Sequence, residues 1–336
     1  MAVEFVKTGV YPQGMAPCDE KSALRMVEVC GRTAYKSEDK ITEDSAASFV
    51  LMLKRHGHLS VLEHSNVTLK IQPDNGASDA LEKFHDSFIR NLGSRNGYHR
   101  FYSIHGSPAS GFAVSGSYRG WLETLAFLKD RTVATFLSRQ LNRFHPSIFE
   151  AAAGDDILPG CRISAMQEGE QLETLKKDPG SDLPLFIFKF VCDRGITHEV
   201  VRHRVFSFTQ ESTRYVNYKN RGMTLILPEE LSEHYDEASE TLNMESPVAQ
   251  AWLQRAETLF GWYQEDLERG LRPEIARDIL PNLLKSEIFV SGRWSGWKHF
   301  IHLRDSKAAH PRIRTIAGEV RRYFESIGLS AEGGAE

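Results

Sequence analysis

The sequence predicts an α+β fold, with helices packed around a small central β-sheet. Two stretches alternate as strands do. "NVTLKI" puts Val67, Leu69 and Ile71 on one face. "LFIFKF" puts Phe186, Phe188 and Phe190 on one face and Leu185 and Ile187 on the other. Around them lie helical patterns with legible ends. In "SAASFVLMLKRHGH" the residues Ala46, Phe49, Val50 and Leu53 recur at helical spacing. Gly57 stops the pattern because glycine accepts a left-handed backbone, which leaves His58 in a turn.

"SPVAQAWLQRAETLFGWYQEDLERG" has Ser246 as N-cap, Pro247 in the first turn and Gly270 at the end. Its apolar stripe is Val248, Trp252, Ala256, Leu259, Tyr263 and Leu267. A short helix in "RPEIARDILP", opened by Pro273 and stopped near Pro281, carries Arg277. The final helix runs from Pro311 to Ile327, with Ile313, Ile316, Ala317, Val320 and Phe324 on one face, and "SAEGGAE" frays after it. Between the two strands lies a long segment with three helical patterns, "SDALEKFHDSFIRNL", "YRGWLETLAFL" and "TVATFLSRQLNRF", joined by Gly/Pro/Ser-rich loops. Within it "FAVSGSYRGWLETL" echoes "IFVSGRWSGWKHFI" further on. An echo this short reads as chance similarity of two strand-to-helix turns, and no longer repeat is visible.

The chain has 336 residues, 41% hydrophobic and 26% charged, and fits one large globular domain. Lys and Arg number 41 against 45 Asp and Glu, a net charge of −4. That speaks against a dedicated nucleic-acid binder, which is normally basic, but leaves room for local basic pockets. No apolar run reaches membrane-spanning length, and "MAVEFVKTGVYPQG" does not read as a secretion leader. Cys18, Cys30, Cys161 and Cys192 form no C-x-x-C pair, so a reducing cytoplasm is the expectation.

The densest polar chemistry is "VVRHRVFSFTQESTRYVNY". If "GITHEVVRHRVF" is helical, Arg202 and Arg204 diverge and one small anion is not clamped by both. The arrangement then suits an element wedged between two ligands or two subunits. Glu199 stands at helical spacing from Arg202 and His203 and can orient either. The bland alternative is a solvated basic helix end. "SFTQESTRY" reads as a non-periodic loop whose hydroxyls, amide and Arg214 can satisfy many acceptors on one ligand, or else as a polar surface turn. His198 and His203 are one residue too far apart for the H-E-x-x-H zinc geometry, and His56, His58 and His64 show no tetrahedral partner spacing, so no metal is expected. "WKHFIHLRDSKAAHP" supplies His299, Arg304 and His310. There is no G-x-G-x-x-G, no Walker loop and no recognisable nucleophile motif.

Together these pieces resemble the flavin-dependent thymidylate synthases. The family signature is R-H-R, seven residues, then S, matched by Arg202-His203-Arg204, "VFSFTQE" and Ser212. The upstream H-G-H turn followed by E-H is similar to His56-Gly57-His58 and Glu63-His64. A-R-x-x-L-P matches "ARDILP" with Arg277, and G-x-x-x-x-W-x-H-F matches "GRWSGWKHF" followed by Arg304. The four motifs occur in the family's order. The resemblance covers roughly residues 16–72 and 185–327.

The resemblance implies the thymidylate synthase-complementing protein fold, as a single domain over 1–336 with a large, mainly helical, family-atypical insertion over 74–182 that decorates the rim of the assembly. It implies reductive methylation of deoxyuridine monophosphate (dUMP) to dTMP. The carbon comes from 5,10-methylenetetrahydrofolate, NADPH is the reductant through FAD, and no cysteine attacks the base. Carried over residue by residue, His58, Ser60, Arg202, His203, Arg204, Gln210 and His299 contact FAD. Glu199, Arg202, Gln210, Glu211, Ser212, Arg214, Arg277 and Arg304 line the nucleotide site. In that reading Arg214 and Arg277 hold the phosphate, Arg277 reaching over from another subunit, and Arg304 polarises the pyrimidine. The family builds its sites between subunits of a homotetramer. The sequence departs from the pattern at Arg293, where asparagine is usual and contacts the flavin, and at Thr209-Gln210, where Asn-Glu is frequent. Alternatives are a flavin-dependent hydroxymethylase of the same fold and a non-catalytic homologue that binds nucleotide or nucleic acid.

Overall fold

The computed structural model describes residues 3–74, 81, 82, 84–86, 102–128, 130–154, 160–214, 218 and 222–331. In chain order the first elements are β1 (Val3–Val6), β2 (Gly9–Met15), α1 (Glu20–Tyr35), α2 (Ser45–Arg55), β3 (Val67–Pro73), β4 (Tyr102–Ser107) and β5 (Gly111–Gly116). The middle of the chain holds α3 (Tyr118–Phe127), α4 (Arg131–Phe144), β6 (Cys161–Ala165), α5 (Glu168–Lys177), β7 (Leu185–Asp193), α6 (Arg194–Val200), β8 (Ser207–Gln210) and β9 (Met223–Ile226). A two-residue hairpin pair β10 (Tyr235–Asp236) and β11 (Thr241–Leu242), α7 (Pro247–Glu268), the predicted short helix as one turn at Pro273–Ala276, β12 (Lys285–Arg293), α8 (Trp294–Arg304) and α9 (Pro311–Ser326) follow.

The expected mixture of helices and small sheets is present, but two four-stranded sheets take the place of one central sheet. One has the order β2-β7-β12-β8 and the other β4-β5-β3-β6, and every pairing in both is antiparallel. The apolar run "LFIFKF" follows from its place. Phe186, Phe188 and Phe190 pack with Ile288, Val290, Trp297, Phe300, Val320 and Phe324 beneath α8 and α9. Leu185 and Ile187 face the opposite core with Leu24, Val50, Leu53 and Trp121. A strand covered on both faces is mostly apolar on both, and the exception, the half-buried Lys189, pairs with Glu287. The third core joins the parallel β1–β9 ribbon to α7.

Helix ends follow the sequence closely. Ser246 Oγ accepts from the Ala249 amide at the start of α7, and Gly270 ends that helix with φ of 89°. Gly57, with φ of 72°, stops the chain beyond α2. The buried face of α7 is Ala249, Ala256, Phe260 and Tyr263, so the stripe lies slightly around the helix from the predicted one, and Leu259 instead lines a surface cavity. The helix read at "SDALEKFHDSFIRNL" lies largely outside the described residues, although Leu81 and Phe84 are buried in the core.

Among its described residues the long segment between β3 and β7 contributes the strands β4, β5 and β6 and the helices α3, α4 and α5, with more residues helical than extended. It does not sit apart as a decoration. Tyr118, Trp121, Leu137, Leu141 and Phe149 are buried in one core with Val27, Phe49 and Val50 of α1 and α2. Burial of this kind, not proximity, decides whether an insertion can be removed.

Candidate functional site

The R-H-R segment is not helical. Asp193 Oδ1 caps α6 by accepting from the Ile196 amide at 2.9 Å, and the helix ends at Val200. Beyond it the chain turns tightly, with His203 N donating to Val200 O (3.1 Å) and Phe206 N to His203 O (3.0 Å). The expected divergence of Arg202 and Arg204 rested on helical spacing and does not hold. Both guanidinium side chains line one cavity of about 570 Å³, together with His198, Glu199 and Arg304.

The turn is fixed from below by Phe206, whose ring lies 4.3 Å from that of Trp297. Gly292 makes that approach possible, since a Cβ there would come within 2.3 Å of the Phe206 ring. His203 is buried, with its ring 5.0 Å from Phe300 and 6.3 Å from the exposed His299.

Arg304 organises the cavity wall. Its Nη1 donates to Glu199 Oε2 at 2.8 Å and its Nη2 to Glu199 O at 3.3 Å. Its Nε donates to His203 Nε2 at 2.9 Å. An arginine is always a donor, so His203 Nε2 must be an acceptor and the ring proton sits on Nδ1. Desolvation, with the Arg304 and His299 charges beside it, pushes the His203 pKa down to about 4. The imidazole is therefore neutral at neutral pH. Glu199, read as a partner for Arg202 or His203, pairs with Arg304 instead. Arg202 and Arg204 are exposed and form no side-chain hydrogen bond or ion pair with another described residue.

A second group of expected site residues lies along β8 and the turn after it. Ser207–Gln210 is an edge strand paired to β12 and not a loop, with Ser207 and Thr209 turned inward. Gln210 Nε2 donates to Thr197 Oγ1 and Ser286 Oγ, each at 3.0 Å. Glu211 is buried and flanked by Lys36 (3.4 Å) and Lys285 (3.7 Å). Ser212 N donates to Ala34 O (3.1 Å), which ties the turn to the end of α1, and Arg214 is exposed. Arg277 Nη1 donates to Thr213 Oγ1 at 3.0 Å within the same chain, so no second subunit is needed to bring it to this turn.

The upstream turn forms a third group. His58 Nδ1 meets Tyr35 OH at 3.2 Å, and Ser60 is exposed. Glu63 and His64 face inward instead. His64 is buried, hydrogen-bonded through Nδ1 to Ser291 Oγ and through Nε2 to Thr209 Oγ1, and burial pushes its pKa down to about 3. Glu63 accepts from Ser207 Oγ and from Arg119 Nη1.

Arg293, which stands where the family has asparagine, turns into the protein interior. It is buried, and its Nη1 donates to Ser115 Oγ (3.1 Å), Asp182 O (3.1 Å) and Leu183 O (2.6 Å). Desolvation lowers its pKa to about 10, so it keeps its charge at neutral pH. Sequence reasoning missed the ion cluster behind Glu211, in which Lys36, Lys189 and Lys285 surround Glu287 and hold its carboxyl well below the usual range against the cost of burial. No local signal marks it, because its members come from three separate elements. Among the described residues no group of three or more His, Cys, Asp or Glu is placed to hold a metal ion, and no helix is long and apolar enough to cross a membrane.

Residues 182–327 match the family model described as thymidylate synthase complementing protein. The range includes the R-H-R, A-R-x-x-L-P and W-x-H-F segments and excludes the His56–His64 turn. Curated relatives named flavin-dependent thymidylate synthase come from Pyrococcus abyssi (34% identical over 128 residues, 38% of this chain and 48% of the relative) and Thermococcus onnurineus (30% over 140 residues, 40% and 53%). Another is from Mycobacterium bovis (32% over 139 residues, 40% and 54%). The chain spans about half the length of the curated relatives it matches. Among solved structures, a UMP/dUMP methylase from Streptomyces cacaoi bound with 5-Br dUMP is 21% identical, covering 46% of this chain and 74% of that one, at a TM-score of 0.35. Residues 182–327, less than half of the chain, are thus similar to the thymidylate synthase complementing protein family and to curated flavin-dependent thymidylate synthases.

Proposed function

We propose that the chain is a flavin-dependent thymidylate synthase. The overall reaction takes dUMP, 5,10-methylenetetrahydrofolate, NADPH and a proton to dTMP, tetrahydrofolate and NADP⁺. The observation that carries the reading is the cavity in which Arg202 and Arg204, without partners among the described residues, face Arg304, itself fixed by Glu199 and His203. Guanidinium groups held ready without a carboxylate suit phosphate or pyrophosphate oxygens. The donor set therefore fits both the FAD diphosphate and an anionic nucleotide. When bound, FAD supplies the redox chemistry, and the chain supplies position and charge.

Arg202, His203, Arg204 and His299 would hold FAD with Gln210, His58 and Ser60. Glu199, Glu211, Ser212, Arg214 and Arg277 would shape the nucleotide site. Arg304 is the residue placed to stabilise negative charge developing on the pyrimidine, because it stays protonated and is already oriented. The neutral His203 presents its Nε2 lone pair to Arg304 and has no charge to oppose a cationic wall. Burial raises the pKa of Cys18, Cys30 and Cys192, so none is poised as a thiolate nucleophile.

In this reading the protein acts in the cytoplasm as a homotetramer. The homotetramer follows the resemblance to the family, which builds its sites between subunits. The chain is one domain over 1–336 with 74–182 inserted, and neither nucleic acid nor membrane is a partner.

The test is turnover by the purified protein supplied with FAD. dTMP should form from dUMP, methylenetetrahydrofolate and NADPH, and NADPH oxidation should rise when dUMP is added. Flavin-loaded protein that makes no dTMP would refute the reading. A product heavier than dTMP by one oxygen would point to hydroxymethyl transfer.

A further inference from the structure

The two sheets share more than strand number. Strand β5 ends in Val114-Ser115-Gly116 and enters α3, and β12 carries Val290-Ser291-Gly292 and enters α8. Each helix has a buried tryptophan in its first turn, Trp121 and Trp297. Placing these two junctions on one another brings the neighbouring strands into line. Val67 pairs with Gly116 as Phe186 pairs with Gly292, and Lys70 then falls on Lys189. The outer neighbours agree, since Ser103 pairs with Ser115 and Ser207 with Ser291. On the other edge Ile163 pairs with Ile71, and Val10 with the equivalent Phe190. Both of these edge strands, β6 and β2, lead into helices, α5 and α1.

Contacts reciprocate at the same positions. Glu63, just before β3, pairs with Arg119 in the first turn of α3 at 2.6 Å. Asp182, at the same place before β7, accepts from Ser295 Oγ in the first turn of α8, also at 2.6 Å. Crosswise, His64 bonds to Ser291 of β12, and Leu183 O accepts from Ser115 of β5 at 2.7 Å. Such agreement across strand order, register and contacts is not expected of a chance echo.

We infer that the chain is two copies of one four-stranded unit in tandem, β2 to α4 and β6 to α9, with their first strands exchanged, and that the first copy is the built-in, site-less partner of the second. The exchange follows from the sheets themselves: β2 completes the sheet of the second copy and β6 that of the first. The segment 74–182 is then the end of one copy and the start of the next. The copies differ where the chemistry lies. β4 and β5 are joined by a short turn, whereas residues 211–284 run between β8 and β12 and carry Ser212, Arg214 and Arg277. The positions equivalent to His299 and Arg304 are Glu123 and Leu128. The interface between the copies holds Glu63, His64 and Arg293, so the first copy supports the strands that carry the site without a site of its own.

Amide hydrogen exchange on the full-length chain tests the pairing. Leu137→Ala in the first copy should lower protection of β7 and β12 amides by the same factor as β3 and β5 amides, because neither sheet is complete without the other copy's strand. The milder Arg119→Ala serves should Leu137→Ala not fold. Loss confined to 67–177, with β7 and β12 at wild-type protection, would overturn the inference. Titration with dUMP, which rests on the proposed function, should give one molecule per chain. Two per chain would place a site in the first copy and overturn the site-less assignment. No binding would count against the proposed function, and the exchange measurement would still decide the pairing of the copies.

Discussion

Where β12 gives way to α8 the chain carries Arg293, His299 and Arg304, and where β5 gives way to α3 it carries Ser117, Glu123 and Leu128. The two junctions have the same backbone plan and bury a tryptophan at the same position, and the second borders the cationic cavity that Arg304 lines. The difference teaches that the sheet and helix junction is scaffold, whereas the chemistry resides in side chains beyond it and in the long connection after β8. Removing the scaffold-only region gives the largest expected effect. Excising 74–182 strips Tyr118, Trp121, Leu137 and Phe149 from a core shared with α1 and α2. Each such side chain contributes about 1.5–3 kcal/mol by burial alone, against a typical total stability of about 5–15 kcal/mol. The excised chain should yield no cooperatively folded protein by circular dichroism, and a folded product with a sharp melt would show that the core this segment shares with α1 and α2 is dispensable.

Much of the scaffold was legible because it follows local rules. The strands at Val67 and Leu185, the capped helix at Ser246 and the last helix from Pro311 all depend on periodicity and caps within a dozen residues. The misreadings share one cause: tertiary partners outweighed local pattern. "VVRHRV" continues a helical spacing, but Phe206 docking against Gly292 and Trp297 stops the helix at Val200. "SFTQ" has no strand-like alternation of hydrophobic residues, because its inward Ser207 and Thr209 meet Glu63 and His64, which are themselves polar. The short echo seemed accidental because register, which distinguishes copies from coincidence, is not written in adjacent residues. The site motifs were readable as a family pattern, but the Glu199–Arg304–His203 linkage was not, since its members stand about a hundred residues apart.

Equivalent substitutions at Arg304 and Leu128 sharpen the comparison next. Arg304→Ala removes the oriented cation and should reduce dTMP formation by about 10²–10³-fold, the usual cost of one preorganised stabilising donor. Arg304→Lys should recover little, because an ammonium cannot reproduce the fork that meets Glu199 and His203 together. Leu128→Ala should leave turnover per folded molecule unchanged and lower only stability. Equal losses of turnover at both positions would put chemistry in the first copy.

A smaller effect is expected from pH, through two buried histidines of the first copy. His64 and His145 have pKa values lowered by burial, to about 3 and about 4. Both are below the unfolded value near 6.5, so as pH falls through 6.5 the unfolded chain takes up protons that the folded chain refuses. Stability should therefore be full above about pH 6.5 and decline toward pH 4, by on the order of 1.4 kcal/mol per pH unit for each histidine. The midpoint of urea unfolding measured across that range should show the slope, and His64→Gln should reduce it. A flat profile between pH 6.5 and 4.5 would mean that the two rings are protonated in the fold.

The smallest contrast is between Lys70 and Lys189, which occupy equivalent positions on β3 and β7. Lys70 pairs with Glu170 where both side chains are well exposed. Such a pair contributes about 0–1 kcal/mol, so Lys70→Met should be near neutral. Lys189 meets Glu287, a carboxylate only 12% exposed that Lys36 and Lys285 also hold. Two cations remain after Lys189→Met, so the buried charge is not orphaned and the cost should be about 1 kcal/mol, not the several that follow when a buried ion loses every partner. The double substitution Lys36→Met with Lys189→Met should then cost more than the sum of the single ones, since the third lysine must compensate Glu287 and Glu211 alone. Additive costs would show that the cluster acts as independent surface pairs, and would make the two sheets alike in charge as well as in plan.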